Sequence, residues 1–540
     1  MEAKAGSMPP RETFTLDFGW RFALGDLHGA ERETFDDSSW RRIDLPHDWS
    51  IEGPFDKDNP AGGSGAWAPG GIGWYRKRFA LPAGSGDRRA RLELDGIYHQ
   101  ASVYLNGMLL GRHDYGYSSF AFELGAAPKQ GEQNLLAVRV DNGNLPNCRW
   151  YSGSGIYRSV RLVLFHPLRV DHWGTCVTTT RVAAASAVVS AVIEVRNDLG
   201  EAADFTVDNE IVAPDGRRMT GTPRAARAEA GQAVACRFTM KVRTPALWSP
   251  QRPSLYALVT RLHHRGRQVD EYETGFGIRK AEFRPRQGFF LNGVGVKLKG
   301  VCLHHDGGAV GAAVPMAIWE RRLGLLKSMG CNAIRCSHNP PDPKLLDLCD
   351  SMGFLAIDEV FDKWEGDFAG PGEWWMRQAG FAANWEADLV SMLRRDRNHP
   401  SIILWSVGNE TGQPGTDQLD PWLARLAARA PEDVRGRTAR GGARRRCRSP
   451  RPLELGPEEL PRDGRMLDDV VPGVPDAEGV HARCDGPPMG EGLRADDDLV
   501  RVPTVVEREE RFLVIDAEDV DEGSAPHDPV DFPGHLRFGR

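Results

Sequence analysis

The segment between residues 296 and 405 repeats a short apolar strand followed by a helix, and this rhythm constrains the fold of the chain most. Its longer pieces carry apolar residues at helical spacing, whereas its shorter pieces are continuous apolar runs. The predicted strands are residues 296–301, 333–335, 354–359 and 402–405, and the predicted helices are residues 316–329, 343–352 and 381–395. Because strands that alternate with helices in this way pair in parallel, the segment predicts a parallel sheet covered by helices.

The fourth of these strands is followed closely by an amide and a carboxylate side by side, Asn409 and Glu410. In a barrel of parallel strands, the carboxyl ends form the rim at which the chemistry takes place. Apolar walls around Glu410 would favour its protonated form, which suits a general acid near neutral pH. Asn409 could hydrogen-bond a sugar hydroxyl or orient the carboxyl group. Taken alone, such a pair is more often a helix-capping amide and a solvated carboxylate, so the surrounding pattern has to decide.

Two β-rich regions precede the βα segment. In residues 12–166, apolar and polar residues alternate between short breaks rich in Gly and Asp, which is typical of half-buried antiparallel strands. Asn106-Gly107, between two apolar runs, is a strong signal for a two-residue hairpin. Residues 167–281 contain short, regularly spaced strands, which predicts a small immunoglobulin-like sandwich. We therefore expect two β-sandwiches followed by a βα region.

Charge and composition exclude some classes of function. The 540 residues carry a formal net charge of -7 with a pI near 6.1, which gives no electrostatic footprint for nucleic acid or an anionic membrane. No apolar run approaches the ~20 residues that span a bilayer, and the first residues lack the apolar stretch of a secretory signal. Fifteen Trp suit core packing and also stacking on sugar faces.

The nine Cys are scattered without the paired spacing of a zinc site. Those in the βα segment, Cys302, Cys331, Cys336 and Cys349, are predicted to be reduced core residues. We expect a cytoplasmic protein that needs no cofactor. The sequence does not fix the oligomeric state, and a homo-oligomer stays open.

Several long motifs resemble those of glycoside hydrolase family 2, the group of β-galactosidases, β-glucuronidases and β-mannosidases. They are residues 397–410, Asn332-Ala333-Ile334-Arg335-Cys336-Ser337-His338-Asn339-Pro340, residues 349–354, residues 45–49 and residues 151–158. The resemblance covers about residues 12–430 and is greatest to the β-galactosidase-like branch. It implies a jelly-roll sugar-binding domain over 12–166, an immunoglobulin-like β-sandwich over 167–281 and the N-terminal half of a (β/α)8 TIM barrel over 282–430. It also implies retaining hydrolysis of a β-linked galactoside or related oligosaccharide in carbohydrate catabolism.

The resemblance further implies roles for residues at the strand ends. Glu410 matches the general acid/base, which protonates the glycosidic oxygen and later deprotonates the attacking water. Asn409 would bind the sugar 2-hydroxyl, and His304 and His338 match positions that touch sugar hydroxyls. A His that follows a strand can equally serve a loop hydrogen bond. Arg335, on the second strand, would orient the catalytic carboxylates through charge-assisted hydrogen bonds.

The loop after the third strand departs from the family pattern. Some members bind magnesium there through a Glu and a His, whereas residues 360–365 contain no His and carry a lysine in the middle. We therefore expect no metal. Trp364, in the same loop, could stack on a sugar face or pack in the core.

Two further pairs of residues are ambiguous. Asp358 and Glu359 end the third strand and could contact substrate or form a buried ion pair with Arg335 or a neighbour. Trp150 and Tyr151, in a loop of the first domain, could form a supporting wall of the site or a packing corner.

The patterning ends near residue 430. From residue 431 to residue 540 there is no Trp, Tyr, Lys or Asn, and charged residues, Pro and Gly dominate. Such a composition cannot bury enough apolar surface to offset the entropy of ordering the chain. It fits a natively disordered tail or, as we favour, translation past a lost reading frame. Either way, the barrel would be truncated after about its fourth strand, and no Glu of the tail ends an apolar strand as the catalytic nucleophile should.

We therefore predict a β-galactosidase-like glycosidase whose catalytic competence is open because the nucleophile is not found. Specificity for a β-glucuronide or a β-mannoside stays an alternative. The alternative of another class is a non-catalytic carbohydrate-binding remnant that relies on the first β-sandwich.

Overall fold

The computed structural model describes residues 11–82, 85, 88–125, 127–362, 381–409, 425, 426 and 429. The predicted acid Glu410, the predicted stacking residue Trp364 and the tail 431–540 lie outside the described residues. Among the residues that are described, no helix is long and apolar enough to cross a membrane.

Ten strands form a sandwich of two antiparallel sheets in the first domain. They are β1 (Arg11–Thr15), β2 (Trp20–Leu24), β3 (Arg41–Ile43), β4 (Gly71–Ala80), β5 (Arg89–Leu94), β6 (Gln100–Leu105), β7 (Met108–His113), β8 (Phe120–Glu123), β9 (Gln133–Asn142) and β10 (Val160–Phe165). One sheet has the order β1-β10-β5-β8 and the other the order β3-β2-β4-β9-β6-β7. Leu94, Val103 and Val138 come from both sheets and are completely buried between them. The predicted β-sandwich is confirmed.

The predicted hairpin at Asn106-Gly107 is also confirmed. It joins β6 to β7, and both residues have positive φ angles, 51° and 83°. A two-residue turn of this handedness matches the right-handed twist of the flanking strands, and Asn and Gly are the residues that adopt it at least cost.

Eight strands form the second sandwich. They are β11 (Leu168–Ala183), β12 (Ser186–Asn197), β13 (Ala203–Val212), β14 (Arg218–Thr220), β15 (Arg224–Ala228), β16 (Ala233–Arg243), β17 (Tyr256–His264) and β18 (Arg267–Phe276). A sheet of order β11-β12-β16 faces one of order β14-β13-β17-β18, in which β15 also pairs with β13. Ile193, Val207 and Leu258 are completely buried in the core between them.

The third region contains a small antiparallel sheet and the predicted βα units. The elements are β19 (Ala281–Arg284), β20 (Gly288–Leu291), β21 (Val294–Gly295), β22 (Gly300–Leu303), α1 (Met316–Ser328), β23 (Ala333–Cys336), α2 (Pro343–Met352), β24 (Leu355–Glu359), α3 (Phe381–Asp396) and β25 (Ile402–Ser406). Strands β22 to β25 pair in parallel and in sequence order. Their carboxyl ends therefore lie at one edge of the sheet, as the sequence predicts.

The first parallel strand is shifted relative to the prediction. Residues 296–299 are not in a strand, and β22 begins only at Gly300. Val296 and Leu298 instead pack with Phe289 and Leu291 against the sheet, so their alternation reflects packing and not a hydrogen-bonded ladder. The prediction of a buried thiol in this strand is wrong, because Cys302 is exposed.

The first domain packs directly on the βα region. The Tyr115 hydroxyl donates to the Val360 carbonyl at 2.6 Å, and the Ser118 hydroxyl donates to Asp388 on α3 at 2.6 Å. The Arg158 guanidinium donates to the Pro340 carbonyl at 2.9 Å. These contacts hold loops of the first sandwich beside the carboxyl ends of the parallel strands.

Candidate active site at the carboxyl ends of the parallel strands

A polar residue lies at or just after the carboxyl end of each parallel strand, at the same edge of the sheet. His304 directly follows β22, His338 lies two residues after β23, Glu359 is the last residue of β24, and Asn409 lies three residues after β25. Polar groups converge there because parallel strands share one carboxyl edge.

Glu359 is the centre of this arrangement. Its side chain is completely buried and accepts hydrogen bonds from Arg335 Nη2 at 2.8 Å, from His338 Nδ1 at 2.7 Å and from the Ser406 hydroxyl at 2.6 Å. Burial alone would lower the pKa of Arg335, but the adjacent carboxylate outweighs burial and the pKa is raised. Glu359 therefore forms the buried ion pair that was one of its two expected roles, and its oxygens are occupied by protein donors.

Asn409 is held at both ends of its side-chain amide. Its Oδ1 accepts from Arg335 Nη2 at 2.8 Å, and its Nδ2 donates to Asp362 Oδ1 at 2.9 Å. A flipped amide would point NH2 at a guanidinium and oxygen at a carboxylate, so these partners fix its orientation. The backbone N–H of Asn409 also donates to the Asp362 carbonyl at 2.9 Å. The amide is thus rigid immediately before Glu410.

Trp150 forms a wall above the two histidines. Its ring centroid lies 4.8 Å from that of His304 and 5.5 Å from that of His338, and its indole N–H donates to the Tyr117 hydroxyl at 3.2 Å. Burial and the neighbouring His338 lower the pKa of His304, which favours a neutral imidazole at pH 7. Tyr151 instead turns away and donates its hydroxyl to Asp48 at 2.6 Å. Trp150 therefore lies where a site wall was expected, and Tyr151 forms a packing contact.

Asp358 does not belong to the site. Neighbouring residues of a strand face opposite sides of the sheet, so Asp358 points away from the side that Glu359 occupies. It is completely buried, and burial together with the Asp396 carboxylate raises its pKa well above the usual range of a carboxylic acid. It forms no ion pair with Arg335, whose carboxylate partner is Glu359.

The structure brings together four of the six residues singled out in the sequence: His304, Arg335, His338 and Asn409. The other two, Glu410 and Trp364, lie outside the described residues. Sequence reasoning gave no role to Asp362, Arg149 or Ser406. The only available signal was that Asp362 and Ser406, like the predicted residues, lie at or just after the end of a strand. Within the described residues, no group of three or more His, Cys, Asp and Glu is placed to hold a metal ion.

A rigid amide, two imidazoles and an indole lie together at the carboxyl ends of parallel strands, in a chain of two β-sandwiches and a βα region. Three family models match in the same order: the sugar binding domain of glycosyl hydrolases family 2 over residues 15–166, the model described as glycosyl hydrolases family 2 over residues 172–279 and the family's TIM barrel domain over residues 284–424. The chain belongs to glycosyl hydrolase family 2. The predicted family and fold class are confirmed, with the barrel represented by the four described strands.

Relatives named for two different activities are similar to this chain. The β-galactosidase BoGH2A of Bacteroides ovatus is 44% identical over 76% of this chain and 48% of its own length. A β-glucuronidase of Bacteroides fragilis is 30% identical over 76% of this chain and 58% of its own length. The crystal structure of a family 2 member from Bacteroides cellulosilyticus superposes with a TM-score of 0.71 at 37% identity, over 78% of this chain and 56% of that one. This chain thus spans about half the length of the curated relatives that it matches.

Proposed function

We propose that this chain carries the acid/base side of the active site of a retaining β-galactosidase-like glycosidase. The observation that carries the proposal is the amide of Asn409, fixed between Arg335 and Asp362 directly before the carboxylate of Glu410. With Oδ1 taken by Arg335, the amide can still offer an N–H to the oxygen of a sugar hydroxyl. The similarity to the β-galactosidase of Bacteroides ovatus supports the same activity.

The charges at the site favour a neutral sugar over a uronic acid. Two guanidinium groups at the strand ends are paired with carboxylates, Arg335 with Glu359 and Arg149 with Asp362. A glucuronide carboxylate bound to either guanidinium would lie close to the carboxylate that this guanidinium already pairs with, and the two negative charges would repel each other. This favours a β-galactoside, although a β-glucuronidase is among the relatives.

In the proposed reaction, Glu410 protonates the glycosidic oxygen as the bond breaks and later removes a proton from water. Asn409 contacts the 2-hydroxyl, and His304 and His338 contact other hydroxyls below the Trp150 wall. Retention requires a second carboxylate about 5–5.5 Å from the acid. Glu359 does not fit that role, because it is completely buried and its oxygens are occupied by three protein donors.

Hydrolysis of an aryl β-galactoside and an aryl β-glucuronide by the full chain tests the proposal. Turnover requires a nucleophile outside the described residues; where the chain hydrolyses the galactoside, the rate should fall at least 100-fold in Glu410→Gln, since general acid catalysis contributes about 100-fold to 10,000-fold. Glu282→Gln, which removes a partly exposed carboxylate on β19, is the control and should retain activity. Turnover that survives Glu410→Gln contradicts the assignment. Galactoside binding without turnover favours the carbohydrate-binding alternative. A cytoplasmic location and a homo-oligomer stay predictions, which cell fractionation and size-exclusion chromatography test.

A further inference from the structure

We propose that Arg149, in a loop of the first domain, is a positioning residue that fixes Asn409 through Asp362. The proposal deepens the proposed function and rests on it, because its consequence is for sugar binding at the strand ends. No family motif recognised in the sequence includes Arg149 or Asp362.

The contact between Arg149 and Asp362 is a two-pronged ion pair. Arg149 Nε donates to Asp362 Oδ2 at 3.0 Å, and Nη2 donates to Oδ1. The two side chains are only 24% and 18% exposed, so solvent screens the pair less than it would at an open surface. A planar guanidinium that holds both carboxylate oxygens also fixes the rotation of the carboxylate.

The same carboxylate holds the amide of the site. Asp362 Oδ1 receives both Arg149 Nη2 and Asn409 Nδ2, so one oxygen links the first domain to the residue before the predicted acid. Arg335 holds the other end of that amide. Without Arg149, the Asp362 carboxylate would lose the counter-charge and the restraint on its rotamer that Arg149 supplies, and one of the two anchors of Asn409 would loosen.

One loop therefore supplies two elements of the site. Arg149 precedes Trp150, whose ring packs on His304 and His338. The guanidinium holds the loop to Asp362 after β24, and this contact also keeps the indole over the histidines. Loss of Arg149 should thus weaken the contact with the sugar hydroxyl at Asn409 and displace the wall on the same side.

Two substitutions separate charge from geometry. Arg149→Met removes the cation and should raise the Kd for methyl β-galactoside about tenfold, the equivalent of one lost hydrogen bond to a fixed group. Arg149→Lys keeps the charge without the planar fork and should fall between wild type and Arg149→Met. The effects of Arg149→Met and Asp362→Asn on the Kd should be less than additive in the double variant, because both changes break the same link.

Arg139→Met is the matched control. Arg139, also in the first domain, makes a two-pronged ion pair with Asp26 at 2.8 and 2.9 Å on the surface, away from the strand ends. It should leave the Kd unchanged and should cost no more stability than Arg149→Met.

Hydrogen exchange in the full chain without sugar provides a readout that does not depend on activity. The backbone amide of Asn409 donates to the Asp362 carbonyl, and this bond should open more often when Asp362 is held less firmly. A peptide spanning residues 402–409 should therefore exchange faster in Arg149→Met than in wild type, whereas its exchange rate in Arg139→Met should equal that of wild type. Unchanged exchange in Arg149→Met overturns the proposal, whether or not the wild-type chain binds the galactoside. Faster exchange with an unchanged Kd also overturns it, since the link would then be merely structural. A wild-type chain that binds no galactoside while the exchange result holds overturns the proposed function and leaves the link between Arg149 and Asn409 standing.

Discussion

Glu359→Gln should destabilise the βα region by about 3 kcal/mol, because among the residues that the structure describes Glu359 is the carboxylate that pairs with Arg335. Breaking a buried ion pair by removing one partner costs about 3–5 kcal/mol. The lower end applies here, because the amide oxygen of Gln can still accept from Arg335 or Ser406. The imidazole of His338, 2.7 Å from Glu359 Oε1, would then face an NH2 group and have to change tautomer.

Urea unfolding of the full chain, followed by tryptophan fluorescence and circular dichroism, measures the effect. With a slope of about 1–3 kcal/mol per molar urea, a loss of 3 kcal/mol lowers the midpoint of the affected transition by about 1–3 M. Two probes are needed because a chain of several domains need not unfold in one step. Glu282→Gln is the control, since Glu282 is partly exposed where it pairs with Lys280 and Arg284, and its loss should cost less than about 1 kcal/mol.

Combining Glu359→Gln with Arg335→Met sharpens the test. If the two groups stabilise the site as a pair, the double variant should be less destabilised than the sum of the single variants, by about 1–3 kcal/mol. A midpoint for Glu359→Gln that shifts no more than that of Glu282→Gln would refute the reasoning, as would strict additivity in the double variant.

Two further predictions concern the structure behind the site. Burial alone would lower the pKa of His399, but the Asp350 carboxylate, 2.6 Å away, outweighs it and raises the pKa from 6.5 to about 9. This pair contributes at most about 3 kcal/mol of stability, which is fully present below pH 6.5 and is lost as the pH rises through 9. The difference in thermal stability between wild type and His399→Gln should therefore shrink between pH 6.5 and pH 9. Gly353→Ala should cost more than about 3 kcal/mol, because Gly353 has a φ of 74° and a Cβ there would lie 2.3 Å from the Pro250 carbonyl oxygen. In calorimetry Gly330→Ala, with a φ of 85° and open space around its Cβ, should cost only about 1 kcal/mol.

The architecture was predictable because the hydrophobic period changes along the chain. Period-two alternation gave the two sandwiches, and the hairpin at Asn106-Gly107 followed from two residues that tolerate positive φ. The bounds of the first parallel strand were not predictable, since residues 296–299 alternate in the same way but pack against other side chains. Alternation reports which residues are buried and not whether the backbone is hydrogen-bonded to a neighbouring strand.

The sequence predicts which residues lie at the end of each strand, but it does not predict which of them contact one another. The position of a polar residue after each strand shows that it reaches the rim, whereas the pairing of Arg335 with Glu359 requires knowing that both strands point those residues to the same side. The alternation leaves the choice between Asp358 and Glu359 open. The contact between Arg149 and Asp362 could not be predicted at all, because the two residues are 213 positions apart and belong to different domains.

The residues of the motif that precede β25 have structural roles outside the site. Arg397 and Asn398 donate to the Thr175 carbonyl at 3.3 and 2.9 Å, at a register shift in β11 that interrupts the pairing of that strand with β12. His399 pairs with Asp350 in α2, and the backbone N–H of Ser401 donates to the other oxygen of that carboxylate at 3.0 Å. The residues before β25 thus hold the strand to the second domain and to α2, while the residues after it hold the amide of the site. A substitution that breaks the contacts on either side of β25 would move Asn409, so the residues both before and after the strand are restricted. For this reason a bare Asn-Glu pair carries much less information than the whole of residues 397–410.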